Sequence, residues 1–497
     1  MIGKNWKKLL TKSNYLLGLQ CHKLVHVKLY DKERIPSPDD STMYRFETGN
    51  IIEAMAKTLF PNGIDVPRDD FVRNLELTEE LLKKRLSLFE PSFKFGQTYS
   101  RGDVLVPVGE NEWDIVEIKS ATKVKDINLH DVSFQKYVYE NCGLKIRKCF
   151  LMYINKEYVK HGAIEADKLF VKTDITKEVE DLSVGIEERI QKILDVINNE
   201  IEPSYEIGSH CSDPYNCPIK KECWAELPNG NILEFYKKEK IQCFDLGGGK
   251  LIKIPKVPDF YSEGKNPIQK KMTAIRMGEN FEKHVFQNFF QNLTYPIYYL
   301  DIQTINPAIP RYDGMKPYKK IPYQISIQIQ EYKDSDLTSV SFLAEKDEDP
   351  RIKFLNILKD TLGDVGTILV YDSTKEQSIL KGLAWTFPDF KNFVGNITSR
   401  IKDIWGVLEN FHYFDIDGNL KSHIKYQIPK LSNINHESLN VRTGEDRGLD
   451  FEKIIFTDEE IEISEINETR DKLEKEGLRD SRDMSKILEV FYDISKN

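Results

Sequence analysis

The chain has little of several things, and each scarcity excludes a class of protein. Among 497 residues there are only seven cysteines, too few and too scattered for a disulfide-built secreted scaffold. No run of about 18 or more apolar residues is present, which leaves nothing that reads as a membrane-spanning helix. Excess positive charge is also missing: 71 Lys+Arg face 80 Asp+Glu, a formal charge of −9. A protein that coats nucleic acid by bulk charge is thereby excluded, whereas an enzyme with a local basic groove and a carboxylate site is not. The basic N-terminus has apolar stretches too short for a secretory signal, and a cytoplasmic, membrane-free protein is the expectation.

What is present is ordinary globular material, 40% apolar and 11% aromatic, with length for about three domains. The first block is expected over residues 1–226 and the last over 291–497. Between them, 227–290 reads as a connector with a Gly-rich stretch at Gly248, several prolines and an amphipathic end. Helical spacing of apolar positions occurs at 46–60, 77–89, 128–141 and 176–199. Residues 99–120 alternate as two strands joined by the short turn 109–112, a hairpin pattern, and 148–155 is a further strand. In the last block, 295–303, 323–330 and 366–372 read as strands, with helices near 350–361, 375–386 and 466–495; 456–477 reads as a solvated helix face. Strands and helices mix throughout, so both blocks are expected to be α/β.

Three constellations carry chemistry. The first lies on the hairpin. Asp103 precedes one strand, and Glu117 and Lys119 share a face of the next because strand side chains alternate. Two carboxylates and an ammonium suit Mg²⁺- or Mn²⁺-assisted phosphodiester hydrolysis, although a cross-strand ion pair on a surface hairpin has the same residues. Gln135 and Tyr139 sit four apart on the following helix, and Glu53 follows Gly49 by four on an earlier one. This ordered set resembles the RecB-like branch of the PD-(D/E)XK nucleases, with a restriction-endonuclease-like fold. The resemblance implies metal ligation by Asp103 and Glu117, a catalytic Lys119, and assistance from Gln135, Tyr139 and Glu53, for which Glu47 is a nearby competitor.

The second constellation is Cys211, Cys217 and Cys223, with five residues between each pair, together with the distant Cys21. Four thiolates suit either zinc or an iron–sulfur cluster, and the usual close-spaced zinc pairs are missing. One early and three late cysteines bracketing a RecB-like domain resemble the iron–sulfur nucleases of the Cas-four and AddB type. That resemblance implies a 4Fe-4S cluster stapling a loop of about 190 residues. Cys142, Cys149 and Cys243 read as ordinary cysteines, and His22 and His210 as neighbours of the ligands.

The third constellation begins at 299–303. With Asn306, Pro307, Pro310, Arg311, Gly314, Pro317, Tyr318, Pro322 and Gln324 in pattern, it resembles an uncharacterised family, domain of unknown function 2779, of DnaQ-like exonuclease type with an RNase H-like fold. The resemblance implies a DEDD-type site at Asp301, position 303, Glu376 and Asp483. Here position 303 is Gln, Asp372 stands where relatives often have Asn, and Arg479 replaces the expected Tyr. An amide in place of a carboxylate weakens a site built for two dications. A degenerate domain and an introduced Glu→Gln change at position 303 both remain open. The motif at 414–431 keeps only an outline of its family counterpart. Taken together, the resemblances imply a metal-dependent nuclease acting on DNA, on single-stranded ends, in repair or anti-phage or CRISPR-type defence. RNA stays open, as do a non-catalytic nucleic-acid-binding module and activity in the last block.

Overall fold

The computed structural model describes residues 8–225, 283–346, 348–404, 406, 444–456 and 461–496. The chain divides into two mixed α/β units. The first comprises residues 1–226 and 308–318; the second comprises 227–307 and 319–497. The expected last block is therefore interrupted, because 308–318 belongs to the first unit.

The first unit starts with β1 (Leu10–Thr11), α1 (Lys12–Gln20), α2 (His22–Tyr30) and α3 (Asp40–Lys57). There follow β2 (Ile64–Asp65), α4 (Phe71–Leu82), β3 (Leu88–Phe89), β4 (Ser92–Phe95) and β5 (Thr98–Arg101). The site-bearing part is β6 (Val104–Val108), β7 (Glu112–Lys119), α5 (Asp126–Asn141) and β8 (Lys145–Ile154). It ends with α6 (Ala166–Leu169), β9 (Phe170–Asp174), α7 (Thr176–Ser183), α8 (Ile186–Ile197) and α9 (Lys220–Ala225). Six strands form one mixed sheet in the order β2-β3-β6-β7-β8-β9, and β1-β5-β4 form a small second sheet.

The expected hairpin is present in β6 and β7, which pair antiparallel with Val104 opposite Val116, but its first strand is shorter than expected: the chain breaks at Gly102–Asp103, and Thr98–Arg101 belong to the small sheet. Strand β7 then pairs parallel with β8, which requires a crossover, and α5 supplies it. Both faces of β7 are covered. Trp113 and Ile115 enter one apolar cluster with α5, α1 and α8; Val116 and Ile118 enter another with Ile52 and Ala56 of α3. Ala308, Ile309 and Tyr318 complete that second cluster. Hydrogen bonds fasten their segment: Lys160 N–H to the Met315 carbonyl at 2.9 Å, Gly314 N–H to the Lys160 carbonyl at 2.9 Å, and Tyr318 Oη to the Ser120 carbonyl.

Two helix expectations need correction. The one at 77–89 runs Phe71–Leu82 instead, since Arg85 adopts φ +53° and β3 begins at Leu88. That at 176–199 is two helices, because Val184 is extended and Gly185 takes φ +74°.

The second unit contains α10 (Lys283–Gln291), β10 (Ile297–Ile305), β11 (Ile321–Gln330), β12 (Thr338–Leu343) and α11 (Pro350–Leu362). It continues with β13 (Thr367–Val370), α12 (Ser373–Thr386), α13 (Lys391–Arg400), β14 (Ile401–Asp403), α14 (Gly444–Phe456) and α15 (Ile463–Lys496). Its sheet order is β12-β11-β10-β13-β14. β11 runs antiparallel to both neighbours, and the β10–β13 and β13–β14 pairings are parallel. The β10–β11 ladder slips between Gln303 and Thr304, opposite Pro322, a bulge that re-aims side chains at a strand end. The 227–282 part of the expected connector, the 414–431 motif and Cys243 lie outside the described residues. Among the described residues, no helix is long and apolar enough to cross a membrane.

Candidate active site

The hairpin sets the geometry of the first site. Asp103 precedes β6 and stands across from Glu117, and its Oδ2 accepts the Ile118 backbone N–H at 2.6 Å. Glu117 is 0% exposed. Its Oε1 accepts Lys119 Nζ at 2.6 Å and Lys12 Nζ at 2.7 Å, and its Oε2 accepts Gln135 Nε2 at 2.7 Å. Asp131, Gln135 and Tyr139 follow each other at four-residue intervals along α5 and so share a face. Asp131 takes Lys119 Nζ at 2.8 Å, Lys12 Nζ at 3.3 Å and Gln135 Nε2 at 3.1 Å. Gly102 makes this closeness feasible: a Cβ there would lie 2.2 Å from Gln135 Oε1 and 2.7 Å from Tyr139 Oη.

Glu53, on α3, and Glu90, between β3 and β4, bring carboxylate oxygens to Asp103, all within 4.8 Å of one another. Glu90 sits at φ +56° and is held by Arg101 Nε at 2.5 Å and by Arg68. Glu47 is exposed on the same helix as Glu53 and lies outside this group.

The electrostatics follow from burial among these charges. Burial, with Glu117 nearby, pushes Asp103 up to about 8, against the pull of Lys12 and Lys119. Burial would raise Glu117 as well, but the two lysines outweigh it and hold its carboxyl well below the usual range. Burial opposes the charge on Lys119, yet Asp131 and Glu117 raise its pKa well above the ordinary value. Burial raises Glu53, assisted by Glu90 and opposed by Lys57. Glu90 would also rise on burial; hydrogen bonds from Glu53, Arg101 and Arg68 hold it near about 2. The result is a buried, charge-balanced acid–base cluster with several oxygen donors, which fits a hard divalent cation.

The four predicted cysteines come from both ends of the unit. Cys21 lies between α1 and α2, Cys211 and Cys217 in the late loop, and Cys223 on α9. Burial raises the Cys217 thiol to about 11 against the backbone of Ile219, with Cys21, Cys211 and Cys223 adding to the rise, and Cys21, Cys217 and Cys223 share one apolar cluster with Leu24, Val27 and Ile219. Gln20 Nε2 ties the loop to α1 by donating to the carbonyls of His210 and Tyr215, both at 2.7 Å. Among the described residues no three of these thiols lie within 4.8 Å of one another, whereas sulfurs on a tetrahedral zinc are about 3.8 Å apart, given Zn–S bonds of about 2.3 Å. His22 is exposed; His210 Nε2 lies 3.8 Å from Cys211 Sγ. Cys149 is buried, which pushes it up to about 12, and Cys142 is exposed.

In the second unit, Asp301 and Gln303 both lie on β10, and Gln303 Nε2 donates to Asp301 Oδ2 at 2.7 Å. Burial raises Asp301, with Asp480 adding to it. Burial likewise moves Glu376 up to about 7, opposed by Lys375 and assisted by Asp301. Arg447, 3% exposed, donates to Asp480 at 2.6 Å and lies 3.4 Å from Glu476. Asp483 is buried one turn further along α15 and pairs with Lys486 at 3.1 Å. After burial, Asp480 adds most to the rise of Asp301, and Asp480 and Asp483 both bear on the buried Tyr371.

Sequence reasoning missed Glu90, Asp131, Lys12, Arg447 and Asp480. Asp131 had a signal, because the Gln135–Tyr139 spacing extends back one turn to it. So did Glu90, a lone acid in the apolar stretch 86–93.

Residues 298–419 match the family described as a domain of unknown function, DUF2779. The match takes in Asp301, Gln303 and Glu376 and ends before Arg447, Asp480 and Asp483. No curated protein matches the chain.

Proposed function

We propose that the first unit is a metal-dependent nuclease that hydrolyses phosphodiester bonds in DNA, with single-stranded ends as its substrate. The observation that carries this is the buried meeting of Asp103, Glu117 and Lys119 on one hairpin, backed by Gln135 and Tyr139 on the crossover helix. A hairpin followed by a helix and a parallel strand supports the PD-(D/E)XK-like reading of the fold. Asp103 and Glu117, with Glu53 and Glu90 beside Asp103, would hold Mg²⁺ or Mn²⁺. When bound, such a cation supplies charge stabilisation and lowers the pKa of water. The rest belongs to the chain. Asp131 orients Lys119, whose ammonium faces the reacting phosphate, and Gln135 fixes the Glu117 carboxylate. The low-dielectric walls strengthen each of these interactions.

The four thiols, drawn from both ends of the unit, support a 4Fe-4S cluster held by Cys21, Cys211, Cys217 and Cys223. Its role would be structural, joining α1 to the end of the unit.

The 3-2-1-4-5 strand order of the second unit, with only its second strand reversed, supports an RNase H-like fold. Its site favours binding over turnover: Gln303 removes a carboxylate, and Arg447 already neutralises Asp480. The test is cleavage of labelled single-stranded and duplex DNA with Mn²⁺ or Mg²⁺. Lys119→Ala should abolish it and Asp301→Ala should not; equal cleavage by wild type and Lys119→Ala refutes the proposal.

A further inference from the structure

Lys12 is the first residue of α1, 105 positions from Glu117, and none of the motifs includes it. The strand before it and the cap of α1 fix where it stands. β1 pairs parallel with β5, Leu10 opposite Thr98, and Thr11 Oγ1 caps α1 by accepting the Asn14 N–H at 3.2 Å. From there the side chain, 19% exposed, reaches Glu117 at 2.7 Å and Asp131 at 3.3 Å.

Glu117 Oε1 accepts two ammonium groups, and its Oε2 is occupied by Gln135. With two ammonium donors on it, Oε1 has no lone pair left for a cation as it stands, whereas Oε2, with one donor, keeps one. The groups facing this carboxylate are Lys119 from its own strand, Asp103 from the hairpin, Asp131 and Gln135 from α5, and Lys12 from α1. Lys119 is held from both sides, at 2.6 and 2.8 Å. Lys12 has the longer contact to Asp131, at 3.3 Å, and comes from a separate element, whereas Lys119 sits on the same strand as Glu117. The two ammoniums already balance Glu117 and Asp131, so an added dication would meet repulsion from both. The group able to leave is Lys12.

We infer that Lys12 is the resident counter-cation of the first site: its ammonium holds the Glu117 oxygen that a divalent cation takes, and metal binding releases it toward the anionic phosphodiester. This rests on the metal site proposed above.

The experiment is lysine acetylation of the full-length protein with a water-soluble active ester, mapped by peptide mass spectrometry, with and without Mn²⁺. Mn²⁺ occupancy is followed by its electron paramagnetic resonance signal. Lys12 should be protected without metal and become severalfold more reactive with it, while Lys119 stays protected. Lys12→Met should tighten Mn²⁺ binding severalfold by removing the competitor. Mn²⁺ binding with Lys12 still unreactive, or unchanged affinity in Lys12→Met, overturns this inference alone. Absence of any Mn²⁺ binding refutes the metal site itself and the inference with it.

Discussion

Gly102→Ala tests whether the first site is as tightly closed as its distances imply. The new methyl would lie 2.2 Å from Gln135 Oε1 and 2.7 Å from Tyr139 Oη, so something must move. The end of a glutamine usually swings away at little cost, but this one is 0% exposed and bonded to Glu117 at 2.7 Å and Asp131 at 3.1 Å. Overpacking costs about 1–3 kcal/mol, and losing a hydrogen bond to a charged group a further ~1.5–3 kcal/mol. With partial relaxation, about 3 kcal/mol is expected, or a fall of roughly 6–12 °C in the unfolding midpoint of a unit this size. Scanning calorimetry of the full chain measures it. A double-mutant cycle locates the clash: in a Gln135→Ala background the same substitution should lose most of its penalty. A midpoint lowered by less than about 2 °C, or an equal penalty in both backgrounds, would refute the argument.

Other consequences are equally checkable. Asp103 is raised to about 8 from an ordinary value near 4; the folded state holds its proton more tightly, so this group takes stability away as pH climbs from about 4 to about 8. Metal-free Asp103→Asn should therefore be more stable than wild type at pH 8, and wild-type Mn²⁺ affinity should rise with pH up to about 8; pH-dependent melting and Mn²⁺ titration decide both. Cys217→Ser should reduce bound iron and visible absorption near 400 nm in anaerobically purified protein and lower the melting midpoint; colourless wild-type protein would rule out the cluster. In the second unit, Arg447→Met removes the buried partner of Asp480, which keeps Arg479 at 3.3 Å and is 21% exposed, and should destabilise by about 1–2 kcal/mol, with Asp480→Asn restoring part of it in urea titrations. Ala308→Asp puts an unpaired charge into the apolar cluster behind β7, and should destabilise the first unit by several kcal/mol.

The hairpin, α5, β10 and α15 were legible because their signals are local: period-two alternation, helical spacing, a turn of four residues. Glu117, Lys119, Gln135 and Tyr139 could be read for the same reason, each pair lying within one element. What stayed hidden depends on tertiary approach. Lys12 reaches Glu117 across 105 residues, and Arg447 finds Asp480 from another helix, distances that no sequence period encodes. Glu90 was obscured by the leucine spacing at 77–89, which suggested helix where the chain turns through Arg85 into β3. The break at Gly185 was hidden similarly, since apolar residues keep helical spacing on either side of it.

A family match over residues 298–419 and a Gln at position 303 coexist for a structural reason. Residues within the matched span divide between two jobs. Asp301, Gln303 and Glu376 stand at the second unit's acid cluster, whereas 308–318 contributes Ala308, Ile309 and Tyr318 to the first unit's core. Tyr318, at φ +58°, hydrogen-bonds the carbonyl of Ser120, the residue after Lys119. A pattern in this segment therefore reports packing against β7, not chemistry at Asp301. Gln303 lies on β10 of the second unit and is not among the residues of the apolar cluster that holds Ala308, Ile309 and Tyr318. The signature and the acids answer to different physical demands, and an intact signature says nothing about whether the acids still work.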